Sequence, residues 1–398
     1  MVDSISLSES PLGYERPPEL QEQFLAAAEH LREVDGWANP ENQGRRELRA
    51  DLALEGGGVK GIGLVGAILV LSEAGYSFRG VAGTSAGAIA ASLVAGISEA
   101  GKEMTELLRY IRTLDFSNFM PEGHLHRFFD RAMGHAGDVG TDVAILIRQQ
   151  GIYSGDYLVT WLRPILHDQL GITSFANLKL SSEVDPGLSL PTGQDYRLVV
   201  HTSDITRGQL VRLPWDFPMY GKSPDEQDPV DAVRASMSIP FFFEPVHVES
   251  EDATVELPMP GGGSAVIHYA AGTQTWVDGG MLANFPIHAF DRSDGKASRW
   301  PTIGIKLSRL QTEFPSTQAC DSAMAVALRS LKTMTNEWDT HSTHSSTAAR
   351  TIFVDNAGLT ATDFDLTPKQ QNTLFLNGVQ SATNFVMEMA QAGGVPRN

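Results

Sequence analysis

The sequence predicts an α/β protein organised around a parallel sheet, and three observations carry that prediction. Strand, helix, strand and helix patterns succeed one another between residues 50 and 95, as in parallel strands with covering helices. Two of the strand-to-helix turns are rich in glycine, Gly56-Gly57-Gly58 and Gly83-Thr84-Ser85-Ala86-Gly87. The composition, 42% hydrophobic against 20% charged, supplies enough apolar side chain for a large core.

The elements follow in order. After a polar arm (1–17), Leu20, Phe24, Leu25, Ala28, Leu31 and Val34 recur at helical spacing. That helix also carries Glu19, Glu22, Glu29 and Glu33, so it is expected to pack on the body of the protein and not on a bilayer. A polar connector leads to a strand at Ala50–Leu54, a helix at Gly61–Ala74, a strand at Phe78–Thr84 and a helix at Ala86–Ala95. Helices are expected at Glu103–Asp115, Asp156–Leu170 and Val230–Met237. Strands are expected at Arg197–Thr202, Leu210–Leu213, Ala265–Tyr269, Gln274–Val277 and Thr302–Leu307. Helices at Thr317–Trp338 and Thr367–Gln391, with a strand at Thr351–Val354 between them, close the chain. Pro and Gly collect at 181–195, 221–229 and 256–264, which read as loops.

Charge and cysteine usage exclude several function classes. With 30 Lys+Arg against 48 Asp+Glu the net charge is −18, which argues against nucleic-acid binding and against electrostatic capture by anionic lipid. The one cysteine, Cys320, cannot form an internal disulfide or a Cys-based zinc site. No basic-then-apolar leader opens the chain, and the long uncharged stretch Gly80–Ser98 is broken by its own glycines. A cytoplasmic protein is expected, in contact with a membrane only peripherally.

Gly83-Thr84-Ser85-Ala86-Gly87 has the form G-x-S-x-G, a sharp strand-to-helix turn that exposes a serine to a substrate. With 38 glycines in the chain the pattern alone is weak, and the flanking strand and Ala-rich helix are what raise it. Glu55-Gly56-Gly57-Gly58-Val59-Lys60-Gly61 also joins a strand to a helix, but it lacks the Lys-Ser/Thr ending of a phosphate loop. Ser85 lies 27 residues after Gly58 (85 − 58), the length of one β-α-β unit, so both turns should share one sheet edge. The N–H groups of Gly57 and Gly58 would then face an oxyanion formed over Ser85.

A serine needs a base. His288, His341 and His344 are available for a Ser-His-Asp arrangement, though none has a distinctive local setting, and His341 with His344 lacks a third metal ligand. Asp278-Gly279-Gly280 ends an apolar strand and offers a carboxylate with room beside it, although Asp-Gly also reads as a turn dipeptide.

Taken in order, these three motifs resemble the patatin-like phospholipase family, in the manner of its bacterial lipid acyl hydrolases. Ala235-Ser236-Met237-Ser238-Ile239-Pro240 also resembles the family's Ala-Ser-x-x-x-Pro segment. The similar region runs from about 50 to 307. The resemblance implies a three-layer α/β/α fold with a mostly parallel central sheet, no cofactor and no metal. It implies a Ser85–Asp278 dyad that cleaves fatty-acyl esters of the phospholipase A or lysophospholipase type through an acyl-enzyme. The oxyanion hole would be Gly57 and Gly58 in the loop of Gly56, Lys60 and Gly61, and the elbow glycines would be Gly83 and Gly87. The chain then divides into an N-terminal arm and helix (1–49), a catalytic core (50–310) and helices packed on it (311–398).

Two alternatives stand beside this reading: a Ser-His-Asp carboxylesterase for small soluble esters, and a latent patatin-like effector awaiting an activating partner or ligand. Inserts at 117–155, 181–195 and 250–264 fall outside the resemblance and are candidates for the acyl pocket or a lid. An acidic enzyme must meet a lipid surface by apolar contact. The aromatic runs Leu213–Tyr220 and Ile239–Phe243 read first as core or pocket wall and only second as lipid contacts.

Overall fold

A computed structural model describes residues 5–38, 46–119, 153–180, 195–258, 263–292, 298–307, 345–359 and 365–397, with the single positions 333 and 363. The strands are β1 (Ser6–Leu7), β2 (Tyr14–Glu15), β3 (Trp37–Ala38), β4 (Arg46–Leu54), β5 (Tyr76–Thr84), β6 (Leu198–Asp204) and β7 (Gln209–Leu213). They continue with β8 (Val246–Ser250), β9 (Ala253–Pro258), β10 (Ser264–Tyr269), β11 (Gly272–Asp278), β12 (Thr302–Lys306) and β13 (Thr351–Phe353). The helices are α1 (Pro18–Asp35), α2 (Ile62–Glu73), α3 (Ala86–Glu99), α4 (Glu106–Ile111), α5 (Asp156–Pro164), α6 (Pro229–Ser236), α7 (Gly280–Ala283), α8 (Ser345–Ala348) and α9 (Pro368–Ala392).

The central sheet runs β13-β12-β4-β5-β6-β11-β8, with β3 beside β4 and β7 beside β6. The five strands from β13 to β6 are parallel, and β11 turns against β6. Leu54 pairs with Gly83, and Thr84 pairs with His201, so β4, β5 and β6 end along one edge. This is the mostly parallel α/β sheet that the sequence predicts.

Helix α2 is buried on every side, from Ile62 to Leu71. Its sequence is apolar all round because it lies between the sheet and α9. Helix α9 carries a broad buried stripe from Leu374 to Ala390, and α1, which packs on α9 and β4, buries Leu20, Phe24, Ala28 and Leu31. A Cβ on Gly66 would strike the α9 backbone, and one on Gly378 would strike that of α2, so glycine sets the close crossing. Leu52 and Leu54 belong to this large core, whereas Ala53 joins Phe285 and Ile287 in a second cluster. Alternation along β4 puts the two clusters on opposite faces of the sheet.

Several elements depart from the sequence reading. The helix expected over Glu103–Asp115 contracts to α4, and that over Asp156–Leu170 changes after Pro164 to a wider turn, Ile165–Gln169. Pro164 has no N–H for the carbonyl four residues back and its ring crowds that carbonyl, which loosens the helix at this point. Strands β8 and β9 are not among the strands the sequence predicts. The loop read at 256–264 overlaps β9, which reaches Pro258 and pairs with β10 in a separate two-stranded sheet. Both strands are short and largely solvent-facing, so they lack the apolar run that marks a strand of the core. The helix expected at Thr317–Trp338 and the histidines His341 and His344 fall outside the described residues, apart from position 333.

Candidate active site

The site is built from the ends of β4, β5 and β11. At the end of β5 the chain reverses at Ser85, whose φ of 54° and ψ of −124° place a non-glycine residue in a sparsely populated region. Such a conformation costs on the order of 1–3 kcal/mol and persists where the surroundings impose it. Here the Ser85 N–H donates to Ser236 Oγ at 2.8 Å, Ser236 Oγ donates to the His201 carbonyl at 2.6 Å, and Thr84 Oγ1 donates to the Ala283 carbonyl at 3.0 Å. Ser85 caps the N-terminus of α3, so its hydroxyl sits at the positive end of the helix dipole. A Cβ on Gly83 would strike the Gly87 backbone, and one on Gly87 would strike the carbonyls of Leu54 and Glu55. Both glycines are needed because α3 starts directly across the ends of β4 and β5.

Asp278 reaches the same level from the opposite direction. It pairs with Thr202, one residue beyond the His201 that pairs with Thr84. Strand β11 therefore stops in mid-sheet, and its last side chain is brought to Ser85. The Asp278 N–H donates to the Ser238 carbonyl at 2.9 Å, and Gly280 N–H donates to Asp278 Oδ1 at 2.6 Å. The other carboxylate oxygen, Oδ2, is buried without a hydrogen-bond partner among the described residues. Burial pushes the Asp278 carboxyl up to about 7, opposed by the Gly280 N–H and by the Ser85 hydroxyl, which lies close by without forming a well-aligned hydrogen bond. Ser85 and Asp278 are 4% and 5% exposed, which leaves the pair nearly dry. The turn after Asp278 is the start of α7 and not a hairpin, and a Cβ on Gly279 would strike the His201 carbonyl.

The glycine loop faces this pair. Gly56 packs so closely on Ser85 that a Cβ would contact Ser85 Cβ, and Gly58 has a positive φ of 55°. Gly58–Gly61 forms a single tight turn that feeds α2. The Gly56 N–H is occupied, donating to the Asn284 carbonyl at 2.9 Å. The N–H groups of Gly57 and Gly58 have no acceptor among the described residues. Gly61 lies against Ala86, in contact with the elbow helix.

Five residues of this assembly carried no site role in the sequence. Ser236 and Ser238 hold the backbone of Ser85 and Asp278 from one segment, the one that includes Ala235 to Pro240. Glu55 is buried in an ion pair with Lys306 at 2.9 Å and also accepts the Leu307 N–H, which ties the start of the glycine loop to the end of β12. A buried pair of this kind costs desolvation and is kept up by its hydrogen bonds. Nothing local in the sequence links positions 251 apart. His201 lies behind the Asp278 turn, where burial first and the Arg212 charge second push its imidazole down to about 4, so it is neutral at pH 7. His288 is exposed and bonded to Asp291 at 2.6 Å, not to Ser85. No group of three or more His, Cys, Asp or Glu side chains among the described residues is placed to hold a metal.

The aromatic runs lie in or against the core. Phe217, Met219, Tyr220 and Phe243 are buried, and Tyr220 packs edge-on against Trp276 at 4.9 Å. No helix of the described residues is long and apolar enough to cross a membrane.

A buried serine in a strained elbow, at the edge of a mostly parallel sheet and facing a glycine loop, defines a carboxylic ester hydrolase. The patatin-like phospholipase model matches residues 52–291, and the chain belongs to that family. It is 31% identical over 338 residues to the protein YqhO of Bacillus subtilis (strain 168), covering 85% of this chain and 98% of YqhO. Among solved structures it is similar to VipD from Legionella pneumophila, with a TM-score of 0.41 and 16% identity over 96% of this chain and 69% of that one. It is also similar to ExoU in its complex with SpcU from Pseudomonas aeruginosa, with a TM-score of 0.35 and 18% identity over 89% and 53% of the two chains.

Proposed function

We propose that this lipid hydrolase of the patatin-like family works through a Ser85–Asp278 dyad as a phospholipase A or lysophospholipase. The observation that carries the reading is the buried, unpartnered Oδ2 of Asp278 beside a serine held at a helix N-terminus. Ser85 Oγ attacks the ester carbonyl while its proton passes to Asp278. The oxyanion is held by the N–H groups of Gly57 and Gly58, a term worth on the order of 3–4 kcal/mol of barrier. The tetrahedral adduct collapses, Asp278 returns the proton to the leaving alcohol, and an acyl group stays on Ser85. Water, deprotonated by Asp278, then releases the fatty acid and restores the hydroxyl. A base with a pKa near the working pH suits both halves of this cycle.

Access to lipid is peripheral and apolar, because the net charge of −18 repels anionic headgroups. The test is covalent labelling by a fluorophosphonate in wild type, Ser85→Ala and Asp278→Asn, with fatty-acid release measured on phospholipid, galactolipid and neutral-lipid panels. Labelling only where Ser85 is present, and release lost in both variants, is the expected result. Labelling that survives Ser85→Ala would sink the assignment.

A further inference from the structure

One residue grips Gly56 from both sides. The Asn284 carbonyl accepts the Gly56 N–H at 2.9 Å, and Asn284 Nδ2 donates to the Gly56 carbonyl at 3.1 Å. Asn284 Oδ1 occupies the place a Cβ on Gly56 would take. The same short turn carries the other parts of the site. Its first N–H, from Gly280, binds Asp278 Oδ1, and the carbonyl of Ala283 accepts the hydroxyl of Thr84, the residue before Ser85.

The geometry of the peptide unit makes this grip consequential. The Gly56 carbonyl and the Gly57 N–H belong to one planar trans unit and point in opposite directions. Fixing the carbonyl therefore fixes where the Gly57 N–H points. Glycine has no Cβ to resist rotation of the units on either side, so flanking glycines leave this peptide free to turn over unless something outside holds it. A flipped unit would present a carbonyl oxygen to the oxyanion in place of a donor.

We propose that Asn284 is the positioning residue of the oxyanion loop, latching the Gly56–Gly57 peptide with its N–H toward Ser85. The proposal rests on the Ser85 and Asp278 reading above. It places the general base and the loop latch on one turn, residues 278–284, so the two halves of the site keep a fixed relation.

The test compares wild type with Asn284→Ala and Asn284→Asp on a soluble fatty-acyl ester, with Ser85→Ala as control. Asn284→Asp keeps the size of the side chain and the main-chain acceptor but, ionised, has no proton for the Gly56 carbonyl. Both variants are expected to lose on the order of 10²-fold in kcat with KM within about twofold. Affinity for a long-chain trifluoromethyl ketone, whose adduct with Ser85 carries an oxyanion, is expected to fall by the same factor as kcat/KM. If Asn284→Ala does not fold, Asn284→Asp is read alone. Wild-type kcat in Asn284→Asp, or a loss confined to KM, overturns the latch while Ser85→Ala remains inactive. Hydrolysis that persists in Ser85→Ala overturns the underlying dyad instead, so the two failures are distinguishable.

Discussion

Two carboxylates in this molecule are pushed to about 7 by the same cause, and only one of them faces a serine. Asp278 ends β11 beside Ser85, with one oxygen bonded to Gly280 and the other unpartnered. Asp51 sits at an irregularity in β4, where it accepts the Gly80 N–H at 2.7 Å and a bond from the Trp300 side chain. Gly80 precedes Ser85 by five residues along β5, about 16 Å at 3.3 Å per residue. Burial dominates both shifts, so a displaced pKa by itself does not mark a catalytic group. What separates the two is the neighbour: Asp51 bridges two strands, whereas Asp278 keeps an acceptor free beside a strained serine. The distinguishing signal is therefore an acceptor turned toward a serine, which a displaced pKa alone does not supply.

The comparison can be broken most directly at Ser85. Ser85→Ala is expected to lower hydrolysis by on the order of 10⁴-fold or more and to abolish fluorophosphonate labelling, with folding intact by circular dichroism. Asp278→Asn should cost on the order of 10³-fold in kcat. The same change should also raise stability. A carboxyl whose folded pKa is lifted from 3.8 to about 7 binds more protons folded than unfolded between those values, so stability is lost as pH rises through that window. Replacing it with an amide removes the loss and should stabilise the fold at pH 8 by on the order of 2 kcal/mol in urea titration. Reduced activity together with reduced stability would contradict this account of Asp278.

Gly58→Ala probes the loop. A positive φ at Gly58 resists a Cβ by about 1–2 kcal/mol, and distortion of the adjacent donors should lower kcat by on the order of 10² with little change in KM. Smaller again is the pH effect. With Asp278 acting as base, kcat/KM should rise about tenfold per pH unit below 7 and level above it. Asp51→Asn should leave both that profile and the rate within about twofold of wild type, while gaining stability at pH 8 as Asp278→Asn does. A profile that moves with Asp51→Asn would erase the distinction between the two carboxylates.

Much of the fold was legible because apolar runs and glycine punctuation are local signals. Strands β4 and β5 and helices α2, α3 and α9 lie where periodicity places them, within a few residues at each end. The elements missed are those whose sequences lack a strong local signature: β8 and β9 are short, with only two or three apolar residues each. Of the site, the motif residues were legible because their spacing fits one β-α-β unit. Ser236, Asn284, Glu55 and Lys306 were legible as residues but not as parts of the site, since each acts through a partner distant in the chain.

By itself, then, the sequence determined the class of sheet, the strand-to-helix turns at Gly56 and Ser85, and the candidate carboxylate at Asp278, because backbone preference and side-chain periodicity act over a few residues. Only the tertiary structure decided that β11 runs against β6 and stops level with Ser85. It also decided that Asp278 is dry enough to titrate near 7 and that Asn284 reaches across to Gly56. Register, desolvation and long-range hydrogen bonds depend on which segments pack together, and no local stretch of sequence carries that information.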